Sequence, residues 1–190
     1  MFEISSDDIA SLNDSELRAL VGLLCEAELA SHGLPTAGVT WGGSQDASDG
    51  GVDVRVSRAS LPYSDGFIPK AQTIFQVKKP DMPPAAIGNE MCSGGALRDS
   101  IKEIAAQGGA YIIVSSAGTT TDSALKKRVQ RMREIITDYA LGCFVDFYDR
   151  NRLASWVRSY PGIAIWVREK CGRKLEGWKP YGNWANCPQV

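Results

Sequence analysis

A chain of 190 residues, 44% hydrophobic and 23% charged, has the length and composition for one domain with a sizeable core, and its apolar runs stop well short of the ~20 residues of a membrane span. The formal net charge of −1 gives no global pull towards nucleic acid, so any such contact has to come from local basic clusters. Five scattered cysteines with no CxxC pair, a single histidine (His32) and no basic-then-apolar leader argue against zinc knuckles, a disulfide framework and a signal peptide, and make a reducing cytoplasm the expected location.

Residues 14–32 predict a helix, with Asp14 or Ser15 as its cap, Glu16 in its first turn, Gly33 at its end and Pro35 beyond. Leu17, Leu20, Val21 and Leu24 form one stripe, which continued by four residues meets Glu28, while Glu26 points nearly opposite. A carboxylate centred on an apolar face is costly unless something pairs with it. Glu28 therefore lies past the core edge, pairs with an arginine, or serves as an acid or metal ligand. Gly42, Gly43, Gly50 and Gly51 follow, suited to a hairpin turn or to close approach of backbone to a ligand.

Residues 52–57 alternate as a strand, with Val52, Val54 and Val56 on one side and Asp53, Arg55 and Ser57 on the other. A loop over 58–71 leads to a second alternating strand over 73–79 that places Gln76 and Lys78 on one face. Paired as a hairpin, the two strands bring Asp53, Gln76 and Lys78 together near their ends. Pro80, Pro83, Pro84, Gly88, Gly94 and Gly95 predict a long loop over 80–95, placed to touch substrate.

A helix over about 97–107 leads into the apolar run 110–114, which fits a buried central strand. The next helix, over about 122–138, buries Leu125, Val129, Met132 and Ile136. Lys126, Lys127, Arg131 and Arg133 lie on its flanks and outer face, and Arg128 lies at the stripe's edge. This densest basic cluster, together with Lys79, is the candidate phosphate-contacting surface. A strand over 143–148, a helix capped by Asp149 and a helix opening at Pro161 complete the pattern. Residues 1–172 read as the domain. Residues 173–190, with Trp178 and Trp184, read as a C-terminal segment or a linker to further domains.

The expected fold class is α/β, a mixed central sheet flanked by helices. The order helix-Glu28, strand-Asp53, strand-Gln76-x-Lys78, helix, strand resembles the PD-(D/E)xK nuclease superfamily, and within it the Mrr-type branch in which Gln replaces the second acid. The match centres on residues 14–79 and extends to about residue 115. The run from Trp41-Gly42-Gly43 to Asp49-Gly50-Gly51 also resembles effector domains at the N-terminus of large bacterial antiviral NTPases. The resemblance implies a restriction-endonuclease-like fold and hydrolysis of phosphodiester bonds in DNA, with double-stranded DNA as the expected partner. It also implies Mg²⁺, with Mn²⁺ as a substitute, and a homo-oligomeric active form. Asp53 would be the principal ligand, with Gln76, the carbonyl of Val77 and Glu28 completing the set. Glu28 would restore the negative charge that Gln76 lacks, and Glu16 is the alternative helix acid. Lys78 would position the attacking water or stabilise charge on the phosphate. A catalytically silent binding module and a nuclease acting on RNA are the competing readings.

Overall fold

The computed structural model describes residues 3–41, 52–62, 66–117, 121–138 and 142–174. The glycine-rich run 42–51 and the tryptophans of the C-terminal segment lie outside the described residues. The elements in order are α1 (Ser6–Ser11), α2 (Asp14–Ser31), β1 (Val39–Trp41), β2 (Val54–Ser57), β3 (Gln72–Lys78), α3 (Pro84–Met91), β4 (Cys92–Ser93), β5 (Ala96–Leu97), α4 (Asp99–Ala106), β6 (Ala110–Ser115), α5 (Asp122–Asp138), β7 (Phe144–Tyr148), α6 (Arg150–Arg158) and α7 (Pro161–Lys170).

The main sheet has the order β1-β2-β3-β6-β7, antiparallel from β1 to β3 and parallel from β3 to β7. This is the mixed central sheet flanked by helices expected for an α/β chain. Strand alternation sets the layers. Val54, Val56, Phe75, Val77, Ile112 and Val114 join the core beneath α1, α2, α6 and α7. Ile74, Tyr111, Ile113, Val145 and Phe147 join a second core beneath α3, α4 and α5. All six residues of β6 are buried, as their apolar run predicts for a strand covered on both faces.

Helix α2 begins one residue earlier than the predicted caps. Asn13 is the N-cap, its Oδ1 accepting the Glu16 N–H at 2.9 Å while the Asn13 N–H donates back to Glu16 Oε2 at 3.1 Å. A Cβ on Gly22 would lie 2.4 Å from the ring of Trp41, so only glycine lets the indole lie flat against α2. That ring is held from its other end by the Trp41 Nε1–H, which donates to Glu26 Oε1 at 2.9 Å.

The 80–95 segment differs most from expectation. Pro83 is the N-cap and Pro84 the first residue of α3, a position where proline's fixed φ and missing N–H cost nothing. Ile87 and Met91, one turn apart, bury that helix in the second core. Gly94 and Gly95, with φ of 60° and 80°, then turn the chain between β4 and β5. Among the described residues no helix is long and apolar enough to cross a membrane.

Candidate active site

Asp53 lies just before β2, and its backbone N–H donates to the Phe75 carbonyl at 3.0 Å. Its side chain then continues the ladder: Oδ2 accepts the Val77 N–H at 2.7 Å and the Gln76 Nε2–H at 2.9 Å. The carboxylate thus acts as a surrogate strand carbonyl that fixes the end of β3. Gln76 is 3% exposed, and its Oε1 is buried without a hydrogen-bond partner. With Nε2 committed to Asp53, that oxygen is the unpaired acceptor of the amide. The carbonyl of Val77 lies on the same edge of β3 as its N–H, the Asp53 side.

Lys78 shares the Gln76 face of β3, and its Nζ stands 3.1 Å from Glu90 Oε1 on α3. Arg18 of α2 approaches Asp53 from across the edge, Nη1 to Oδ1 at 3.7 Å. The structure therefore brings Asp53, Gln76, Val77 and Lys78 together, and adds Arg18 and Glu90. Arg18 falls on the flank of the α2 stripe, and Glu90 lies in what reads as a proline-rich loop, so nothing in the sequence marks either.

Glu28 is not part of this group. It faces the core as the stripe predicts and is 3% exposed, but it sits ten residues after Arg18, about 15 Å along the helix axis. Its Oε1 accepts the Ile68 N–H at 3.0 Å, in the connection entering the start of β3, whereas Asp53 sits beside the end. Burial raises the Glu28 carboxyl above the usual carboxylate range, opposed by that hydrogen bond. The neighbouring Trp156 indole favours the ionised form without forming a hydrogen bond. Glu16 is also engaged elsewhere, closing the α2 capping box and facing Lys170 Nζ at 3.8 Å.

The predicted basic surface is only partly a surface. Arg128 is 7% exposed: its Nε donates to the Met82 carbonyl at 2.9 Å, its Nη2 meets Asp81 Oδ1 at 2.9 Å, and its guanidinium lies 5.5 Å from the centre of the Phe147 ring. Lys79 Nζ donates to the carbonyls of Ala10, at 3.1 Å, and Leu12. Both are anchors, because their donors are spent on backbone carbonyls that the fold leaves unpaired. Lys126 and Lys127 are exposed, with Lys126 beside Asp122 at 2.7 Å; Arg131 is half-buried and faces Glu134 at 3.5 Å.

Among the described residues no three or more His, Cys, Asp or Glu side chains gather as a metal-holding group. On the strand pair the available oxygens are the Asp53 carboxylate, the Gln76 amide and the Val77 carbonyl, with the Glu90 carboxylate beside them against Lys78. Comparison with protein-family models, curated proteins and solved structures found no match to this chain.

Proposed function

We propose that this chain is a metal-dependent endonuclease that hydrolyses phosphodiester bonds in DNA. The observation that carries the reading is the buried Gln76 Oε1, left without a hydrogen-bond partner beside the Asp53 carboxylate. An orphaned buried acceptor costs about 1–3 kcal/mol, and a cation would satisfy it. Asp53, Gln76 Oε1 and the Val77 carbonyl are all hard oxygens, which suits Mg²⁺ and, in its place, Mn²⁺. The neutral amide makes the set poor in charge, so the cation would retain several waters.

The bound cation would supply a water of lowered pKa and offset charge on the phosphate. The chain's own residues do the rest. Asp53 holds the end of β3 through its Oδ2, fixing the Gln76 amide and the Val77 backbone beside it. Lys78, on the same face as Gln76, directs its ammonium at the attacking water or a phosphate oxygen. Exposed Lys126 and Lys127 offer phosphate contacts. The resemblance to Mrr-type PD-(D/E)xK nucleases supports the same reading, and with it duplex DNA as substrate, a homo-oligomeric active form and an effector role within a larger antiviral NTPase. Four described cysteines without disulfides (Cys25, Cys92, Cys143 and Cys171) support placement in the cytoplasm.

One observation favours a second reading, a nucleic-acid-binding module without catalysis: Arg18 already stands against the Asp53 carboxylate that the cation requires. Plasmid cleavage by the purified chain with Mg²⁺ or EDTA separates the two. Mg²⁺-dependent nicking or linearisation, abolished by Asp53→Ala and by Lys78→Ala, is the expected result. DNA binding without cleavage, also under conditions that drive oligomerisation, would select the silent module. Preferential cleavage of single-stranded RNA would reassign the substrate.

A further inference from the structure

We propose that Glu90 is the second acidic residue of this site, brought in by α3 to hold Lys78 and to supply the negative charge that Gln76 lacks. The inference rests on the nuclease reading above and deepens it. The neutral Gln76 leaves Asp53 as the only carboxylate on the strand pair, and Glu28 cannot reach it. Glu90 Oε1 is 3.1 Å from Lys78 Nζ, and the Glu90 side chain is 17% exposed, so the pair is largely withdrawn from solvent.

Several contacts fix this carboxylate in place. Arg128 fastens Asp81 and the Met82 carbonyl, which sets where α3 begins. Ile87 and Met91 seat the helix in the core, and Glu90 follows Ile87 by three residues, on the adjoining flank facing β3. At the far end Arg98 Nε donates to the Glu90 carbonyl at 2.6 Å, and the Arg98 N–H donates to the Met91 carbonyl at 3.0 Å. Arg98, just past the β4–β5 hairpin, thereby closes the C-terminal end of α3 at Glu90 and Met91. Glu90 and Asp53 also share a neighbour. Burial pushes the Tyr111 hydroxyl far up, and among the charges around it Glu90 acts most strongly, followed by Arg98 and Asp53.

As a positioning residue, Glu90 acts in two ways. Its carboxylate fixes Lys78 in one orientation, which lowers the entropy lost when the ammonium engages the phosphate or the water. Its charge also strengthens the field felt by a cation at Asp53 and Gln76, the way outer-shell carboxylates tune metal sites.

The test uses the full chain and Mn²⁺ as the probe. Mn²⁺ binding is measured by isothermal titration calorimetry, plasmid cleavage by kcat and KM, and folding by thermal melting, for wild type, Glu90→Gln, Glu90→Asp and Glu28→Gln. The expected result is Mn²⁺ affinity about 10- to 100-fold weaker in Glu90→Gln, with kcat falling more than KM rises. Partial recovery is expected in Glu90→Asp and no change in either quantity for Glu28→Gln. Equal Mn²⁺ affinity in wild type and Glu90→Gln, or the same loss in Glu28→Gln, overturns the proposal. So does a loss that tracks only a lowered melting temperature and recurs undiminished in Glu90→Asp. A wild type that binds Mn²⁺ but leaves DNA intact overturns the nuclease reading, and the affinity comparison still decides the role of Glu90. A wild type that binds no Mn²⁺ overturns both.

Discussion

The carboxylate of Asp53 occupies the place of a strand carbonyl against Val77, accepting its N–H at 2.7 Å. The structural duty and the proposed metal-holding duty thus meet in one side chain, and substitutions can separate them. Asp53→Asn keeps an oxygen for the Val77 N–H and the Gln76 amide and loses the charge that faces Arg18. Asp53→Ala leaves the Val77 N–H and the Gln76 amide without an acceptor, at about 1–3 kcal/mol for each unsatisfied group. Chemical denaturation should rank the stabilities as wild type, then Asn, then Ala, while calorimetry with Mn²⁺ should show both variants deficient. An alanine variant as stable as the asparagine one would remove the structural duty.

The two kinds of cation on α5 should behave differently. Arg128→Ala strands the Met82 carbonyl and removes the cation facing Asp81, and should lower stability by about 1–3 kcal/mol without altering the salt dependence of DNA binding. Lys126→Ala and Lys127→Ala should leave the melting temperature in place. Each should reduce the slope of log affinity against log salt by about 1. Filter binding across a salt series, alongside thermal melts, reads both effects. An unchanged slope in the double lysine variant would exclude this face from the DNA contact.

Gly22 should not tolerate a methyl group. The added Cβ would meet the Trp41 ring at 2.4 Å, so the indole must leave α2 and give up its bond to Glu26. Gly22→Ala should destabilise by about 1–3 kcal/mol and red-shift the tryptophan fluorescence. A crystal structure of the variant with Trp41 still seated on α2 would contradict this.

Glu28 sets a pH dependence of folding. Burial raises its carboxyl in the folded chain, so between the ordinary glutamate value and the raised one the folded state binds more protons than the unfolded state. Stability from this group is therefore full below the ordinary value and is lost as pH climbs through the raised one. Glu28→Gln retains a carbonyl oxygen for the Ile68 N–H and removes the titration. Urea denaturation from about pH 4 to about pH 8 should show the variant gaining on wild type as pH rises, spanning the ordinary carboxylate range and beyond. A constant difference across that range would mean that the carboxyl is not raised.

The strand pair of the site was readable because half-buried strands alternate, and alternation assigns faces: Asp53, Gln76 and Lys78 share a face in sequence and in structure. The α2 stripe was equally informative about direction, since Glu28 does point inward. A stripe gives the angle around a helix axis, however, and says nothing of height. The ten-residue separation of Arg18 and Glu28 puts the two beside opposite ends of β3. Helix α3 was hidden by its own start signal, because Pro83 and Pro84 read as loop residues when the buried pair Ile87 and Met91 is too short to announce a period. The Lys78–Glu90 and Arg128–Asp81 pairs join separate elements, and no local pattern encodes them.

Two consecutive lysines at the end of β3 go to opposite sides of the sheet. Lys78 reaches the α3 layer at Glu90, and Lys79 grips the carbonyls of Ala10 and Leu12 at the end of α1. A single peptide unit is thus a rivet through all three layers. Sliding of the N-terminal helices would be felt as a displacement of the Lys78 ammonium. A partner that grasped α1 would hold a lever on the Lys78–Glu90 pair.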